Sequence, residues 1–271
     1  MKKNVLLITA ALILAACASN TAVDKDVQAT QDWSHDRLYR EARDELNGGR
    51  YDRAVKLYEI LRSRQADGRY TEQSLLDSAY AHYKNEEPAK ALADLARFMH
   101  NFPASVDMDY ALYLRGLVLF DEDQSFLRKL ASQDWSDRDP EANRRAFRAF
   151  EELVKRFPES KYAEDASKRM AQLVDALGGH ELAIAQYYAK RGAFLAANNR
   201  AQSVIRQYQN TRYVEEALAI MIYSYQKMGN QQLADDSMRI LKQNFPESPY
   251  LQKGWAQNNS MPWWGWWRRS E

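Results

Sequence analysis

Three similar strings, Asn101-Phe-Pro-Ala-Ser105, Arg156-Phe-Pro-Glu-Ser160 and Asn244-Phe-Pro-Glu-Ser248, punctuate the chain and constrain its fold more than any other feature. In each, the Phe closes an apolar-periodic segment, the Pro stops a helix, and the Ser is placed to cap the next one. Twelve positions before each Pro stands a small residue: Ala91, Ala146 and Ala234. Large apolar residues follow it at four and seven positions: Leu95 and Phe98, Phe150 and Leu153, Met238 and Leu241. That spacing is one face of a helix. A chain that repeats such a face is built from stacked supersecondary units, each unable to bury its apolar side alone.

The upstream halves agree. Ala42 precedes Ala54 by twelve, with Tyr58 and Leu61 beyond it and Gly48-Gly49 between; Ala79 precedes Ala91 by twelve, with Glu87-Pro88 at the turn. Tyr225, Gly229 and Ala234 make the last unit, with Ile222 at a position that usually takes something small. The arrangement resembles tetratricopeptide repeats, in which a small residue lets two helices approach closely. The step from Ala54 to Ala91 is 37 residues, near the roughly 34 of that repeat. Two places break the register. Extra residues between Gly116 and Ala146, including Asp121–Ser125 and Trp135–Pro140, give the third unit an insertion, and Asp139-Pro140 restarts the helix. The 55 residues from Ala146 to Ala201 leave room for an additional helix near 161–177, with Gly178-Gly179 as its stop. The expected fold is all-α, a repeat solenoid of about five helical pairs over residues 34–245. Its organisation divides into N-terminal repeats at 34–103 and C-terminal repeats at 104–246.

Stacked pairs leave a hollow lined by their first helices, a shape suited to peptides or other domains. Mapped onto the repeat, the positions facing that hollow are Tyr39, Arg43 and Asn47; then Leu76, Tyr80, Tyr83 and Lys84; then Tyr110, Tyr113, Leu117 and Arg115. Tyrosines beside cations suit an extended aromatic peptide ending in a carboxylate. On a later helix Arg200 and Arg206 have no carboxylate four residues away, which suits docking to an acidic partner.

The search for reaction chemistry finds little. Lys plus Arg number 38 against 37 Asp plus Glu, so no basic excess points to nucleic acid. His35, His82, His100 and His180 include no pair at the i, i+4 spacing of a helical zinc site, and one cysteine excludes Cys-based zinc and a disulfide framework. No phosphate loop or GxSxG elbow occurs, and helix carboxylates are mostly interleaved with Lys or Arg as on a solvated face. No catalytic residue, metal or cofactor is expected, and binding rather than turnover is the function. A hydrolase with a cryptic carboxylate pair is the rival from another class.

The termini add an address. Met1-Lys2-Lys3, an apolar run from Val5 to Ala16, then Leu14-Ala15-Ala16-Cys17 resemble the signal peptide and lipobox of bacterial lipoproteins. The run is too short to span a bilayer. The expectation is a signal peptide at 1–16, lipidation of Cys17, and a polar tether at 17–33. Ala18, where the inner-membrane retention signal has Asp, implies the outer membrane. Residues 247–271 hold five of the seven tryptophans, with Trp263-Trp264-Gly265-Trp266-Trp267 followed by Arg268-Arg269 and no helical period. Such a tail suits a membrane interface or a partner groove.

Ala81-His-Tyr-Lys-Asn85, Asp109–Leu117, Trp135–Pro140 and Tyr187–Arg200, in that order on one repeat array, resemble the BamD family of outer-membrane assembly lipoproteins from Cys17 to about Pro246. The neisserial form of that family was once named a competence lipoprotein. The resemblance implies binding to the POTRA domain of the barrel-forming subunit BamA, with Arg200 at the family's contact arginine. It also implies recognition of unfolded outer-membrane proteins by the N-terminal repeats, other lipoprotein subunits as partners, and attachment to the periplasmic face of the outer membrane. A repeat scaffold in cell-wall organisation or DNA uptake is the alternative.

Overall fold

The computed structural model describes residues 27–64, 70–128 and 140–258. The expected signal peptide, Cys17 and its lipidation, Trp135 to Asp139, and the tryptophan cluster at 263–267 lie outside the described residues. Among the described residues the ordered elements are helices: α1 (His35–Asn47), α2 (Tyr51–Arg64), α3 (Thr71–Lys84), α4 (Pro88–Asn101), α5 (Met108–Arg128), α6 (Pro140–Arg156), α7 (Ala163–Lys190), α8 (Phe194–Gln207), α9 (Val214–Lys227), α10 (Gln231–Asn244) and α11 (Tyr250–Asn258). In chain order the first ten follow the five expected pairs. The described residues divide into two compact units between Glu122 and Asp123. The first therefore takes in α5 up to Glu122, which the sequence division at 103 had grouped with the later repeats.

The repeat shows most clearly in the turns. Four pairs, α1–α2, α3–α4, α7–α8 and α9–α10, are joined by three residues, and the middle one has a left-handed backbone: Gly49, Glu86, Gly192 and Gly229. The next N–H reaches back five residues in every case: Arg50 to the Glu45 carbonyl, Glu87 to His82, Ala193 to Tyr188, Asn230 to Tyr225. This is the Schellman closure, which satisfies the carbonyls a helix end would otherwise orphan. Between pairs, Phe102, Phe157, Tyr208 and Phe245 each donate an N–H to the carbonyl four residues back as the helix ends.

The serines of the first two strings do not cap the following helix, whereas the third accepts from the first N–H of α11. Ser105, Ser160 and Ser248 accept through Oγ from the N–H two residues on, at Asp107, Tyr162 and Tyr250. The residue that flanks α7, Tyr162, makes no side-chain cap. Ser105 and Ser160 tighten the turn before the helix begins.

The small residues do what their spacing requires. Ala42, Ala54, Ala79, Ala91, Ala146, Ala201 and Ala234 are buried, as are Leu61, Leu95, Phe98, Phe150, Leu153 and Leu241. Each large side chain so covered stabilises the fold by about 1.5–3 kcal/mol.

Three expectations need correction. Gly178-Gly179 does not end a helix: α7 runs unbroken through both for 28 residues. A Cβ on Gly178 would lie 3.2 Å from Cβ of Tyr208 and Cδ2 of Tyr213, so the glycine lets the α8–α9 connection press onto α7. Close packing outweighs a propensity cost of about 1 kcal/mol. The tether expected through residue 33 is docked at its end. Arg64 donates to the carbonyls of Thr30 and Trp33, and Trp33 packs against the core of α1 and α2. The segment from 247 contains a helix, α11, kinked at Gly254 (φ 66°), with Trp255 buried in the second unit.

Candidate binding surfaces

In the first unit Tyr39, Tyr58 and Tyr70 form an aromatic group that reaches a buried carboxylate, Asp77, through Tyr58. Tyr39 of α1 stacks on Tyr70, with ring centroids 4.5 Å apart and planes 16° from parallel, and meets Tyr58 of α2 at 6.2 Å. The guanidinium of Arg43 sits over the Tyr39 ring at 5.9 Å. Tyr58, fully buried, donates its O–H to Asp77 of α3 at 2.9 Å, and Gln73 donates to the other Asp77 oxygen at 3.0 Å. Burial pushes the Asp77 carboxyl above the usual carboxylate range, against the pull of Gln73, Tyr58 and the Arg43 charge. Burial likewise raises the Tyr39 hydroxyl, with the Asp77 charge adding to it. Arg43 is held more firmly charged, first by Tyr39 and then by Asp77.

One helical turn along α3, Tyr80 and Tyr83 are half-buried with centroids 6.5 Å apart, and Tyr83 donates to Asp121 of α5. Arg43, Asn47 and Lys84 are exposed; Tyr39, Tyr80, Tyr83, Tyr110, Tyr113, Leu117 and Arg115 are half-buried. Arg115 points Nη1 at the Met99 sulfur, 3.6 Å away. Leu76 is the exception: it is fully buried and belongs to the core, so it offers a peptide no surface. Tyr70 and Asp77 escaped the sequence reading. Asp77 was findable, because no Lys or Arg lies three or four residues from it.

The second unit places Glu181 at the junction of three helices. This α7 carboxylate is 9% exposed and accepts from Nη1 of Arg200 on α8 at 3.1 and 3.4 Å. Nη2 of Arg144 on α6 lies 3.9 Å from the same carboxylate. Arg200 is therefore paired across helices, contrary to the sequence expectation, which weighed only neighbours on its own helix. Arg206, on the last turn of α8, is exposed. From Leu182 to Val214 there is no acidic residue, while Lys190, Arg191, Arg200, Arg206 and Arg212 supply five cations. A hollow of about 350 Å³ opens between α7 and α9, lined by Leu182, Gln186, Arg212, Tyr213 and Glu216. Glu216 there accepts from Gln186 at 2.8 Å and from the Trp255 indole at 2.9 Å.

Among the described residues no cluster of His, Cys, Asp and Glu could hold a metal ion, and no helix is long and apolar enough to cross a membrane. The chemistry on offer is stacking, charge pairing and hydrogen bonding.

Residues 31–241 match the family model YfiO, described as outer membrane lipoprotein. The chain belongs to this family. YfiO relatives from Neisseria meningitidis serogroup A (62% identical) and Neisseria gonorrhoeae (60%) align over 98% of this chain and all of their own length. A relative from Vibrio cholerae is 37% identical over 86% of this chain and 94% of its own. All three are named outer membrane protein assembly factor BamD, so the resemblance carried by the four strings is correct. The YfiO match begins just before α1 and stops within α10, leaving α11 and the tryptophan tail outside it.

Proposed function

We propose that this lipoprotein is a non-enzymatic adaptor of outer-membrane β-barrel assembly, lipid-anchored through Cys17 on the periplasmic face of the outer membrane. Its first unit binds unfolded outer-membrane proteins; its second binds the barrel-forming subunit through a POTRA domain, alongside other lipoprotein subunits. The observation that carries the reading is the 60–62% identity, along nearly the whole chain, to proteins named outer membrane protein assembly factor.

The surfaces support each half. Stacked Tyr39 and Tyr70 with Arg43, and the Tyr80–Tyr83 pair on the helix that ends in Lys84, offer aromatic faces and cations. A chain ending in an aromatic residue and a carboxylate would stack its ring and pair its terminus there. The acid-free stretch around α8 suits an acidic domain surface, with Arg200 and Arg206 as its contacts. Joining both binders in one chain raises the effective concentration of a weakly held substrate at the barrel subunit.

The test is crosslinking to a photoreactive peptide copied from a porin C-terminus. Tyr80→Ala with Tyr83→Ala should reduce capture several-fold while circular dichroism stays helical. Equal capture by the double variant would remove this surface from substrate binding.

A further inference from the structure

Glu181 is an odd neighbour for a docking arginine. A buried carboxylate beside Arg200 ought to weaken its attraction for an acidic partner, yet burying that charge costs several kcal/mol unless it is paired. Its position resolves the conflict. Glu181 engages only Nη1 of Arg200, whose Nε and Nη2 make no hydrogen bond or ion pair among the described residues, and the Arg200 side chain stays 45% exposed. Arg144 approaches the same carboxylate from α6 and is 42% exposed. Its other acidic neighbour, Glu141 at 3.8 Å, is exposed and already taken by Arg148 at 2.8 Å, and such surface pairs contribute little. Two half-exposed guanidiniums thus meet one buried acid, leaving a net positive charge on this group.

We propose that Arg144 and Arg200 form a single receptor for a carboxylate side chain on a protein partner, with Glu181 as the positioning residue that holds both guanidiniums on one side of the second unit. This rests on the reading of α8 as the partner-binding helix and extends it to a residue on α6. Arg200 offers the incoming carboxylate its free Nε–Nη2 edge, the fork that pairs two N–H donors with two oxygens. Arg144 closes on the carboxylate from the other side of Glu181.

The experiment uses the full-length lipoprotein in detergent and the periplasmic region of the barrel subunit from the same organism. Kd is measured across a salt series. Arg144→Ala and Arg200→Ala should each raise Kd about tenfold and flatten its salt dependence. The double variant should cost clearly less than the product, because both arginines address one carboxylate. Arg144→Lys, which keeps the charge and the packing stem, should recover part of the loss. Glu181→Gln should raise Kd at temperatures where melting curves show it folded; a purely structural role would lower the melting temperature and leave Kd alone. If Arg200→Ala weakens binding and Arg144→Ala does not, the two-arginine receptor is wrong and the α8 reading stands. If neither variant changes Kd, the α8 reading fails and the receptor with it.

Discussion

Glu86 occupies, at φ 57°, the left-handed turn position that Gly49, Gly192 and Gly229 fill elsewhere. A side chain there costs roughly 1 kcal/mol against the adjacent carbonyl. Glu86 is exposed, so Glu86→Gly should raise stability by about 1 kcal/mol in urea unfolding; no gain would mean the turn is not strained. Asp77 makes a pH-dependent prediction. Its folded pKa is raised by burial above the ordinary 3.8, so as pH climbs through that interval the unfolded chain releases the proton first and stability falls. Asp77→Asn should remove this loss, its stability advantage over wild type growing as pH rises above about 4 and then levelling off. Parallel melting profiles would contradict it. The sequence did mark such groups: Glu45, Asp77 and Glu181 have no Lys or Arg three or four residues away, and all three are buried. What it could not reveal is which helix supplies the partner, since Arg200 meets Glu181 nineteen residues away.

Among elements, α7 is where local rules mislead. Gly178-Gly179 reads as a stop because glycine is the poorest helix former after proline, yet the helix continues and Gly178 is needed for contact. Ala would gain about 1 kcal/mol at an open helix site. Here its Cβ would meet the Tyr208 Cβ, an atom that moves only with its backbone, so Gly178→Ala should instead destabilise by about 1–3 kcal/mol. A stabilised variant would show that α7 and the connection do not press together. The turns were more legible, because each Phe-Pro string carries its own stop. The fourth copy, Tyr208-Gln-Asn-Thr211, was missed for want of the proline, although Tyr208 donates to Val204 and Thr211 to Tyr208 as in the other strings. The docking of α11 was also unreadable: Trp255 reaches Glu216 across 39 residues. Trp255→Ala should cost about 3–5 kcal/mol and expose the α9 face to proteolysis at the C-terminal end; unchanged stability and cleavage would contradict that packing.

Over the whole molecule, repeat periodicity made the all-α pairing legible, and four strings made the family legible. The limit between compact units was not, because α5 continues to Arg128 through Asp121–Ser125, extra residues that break the repeat register and read as an insertion. On the function proposed above, the whole molecule joins two grips in one tethered chain, which would separate an assembly factor from a scaffold for cell-wall enzymes or DNA uptake. The most direct measurement is depletion of the protein in its own cells, with folded porin in the outer membrane followed over several generations. The account predicts that porin trimers fall in step with the depleted protein and return when it is restored. Steady porin levels alongside defective cell wall or lost DNA uptake would contradict it.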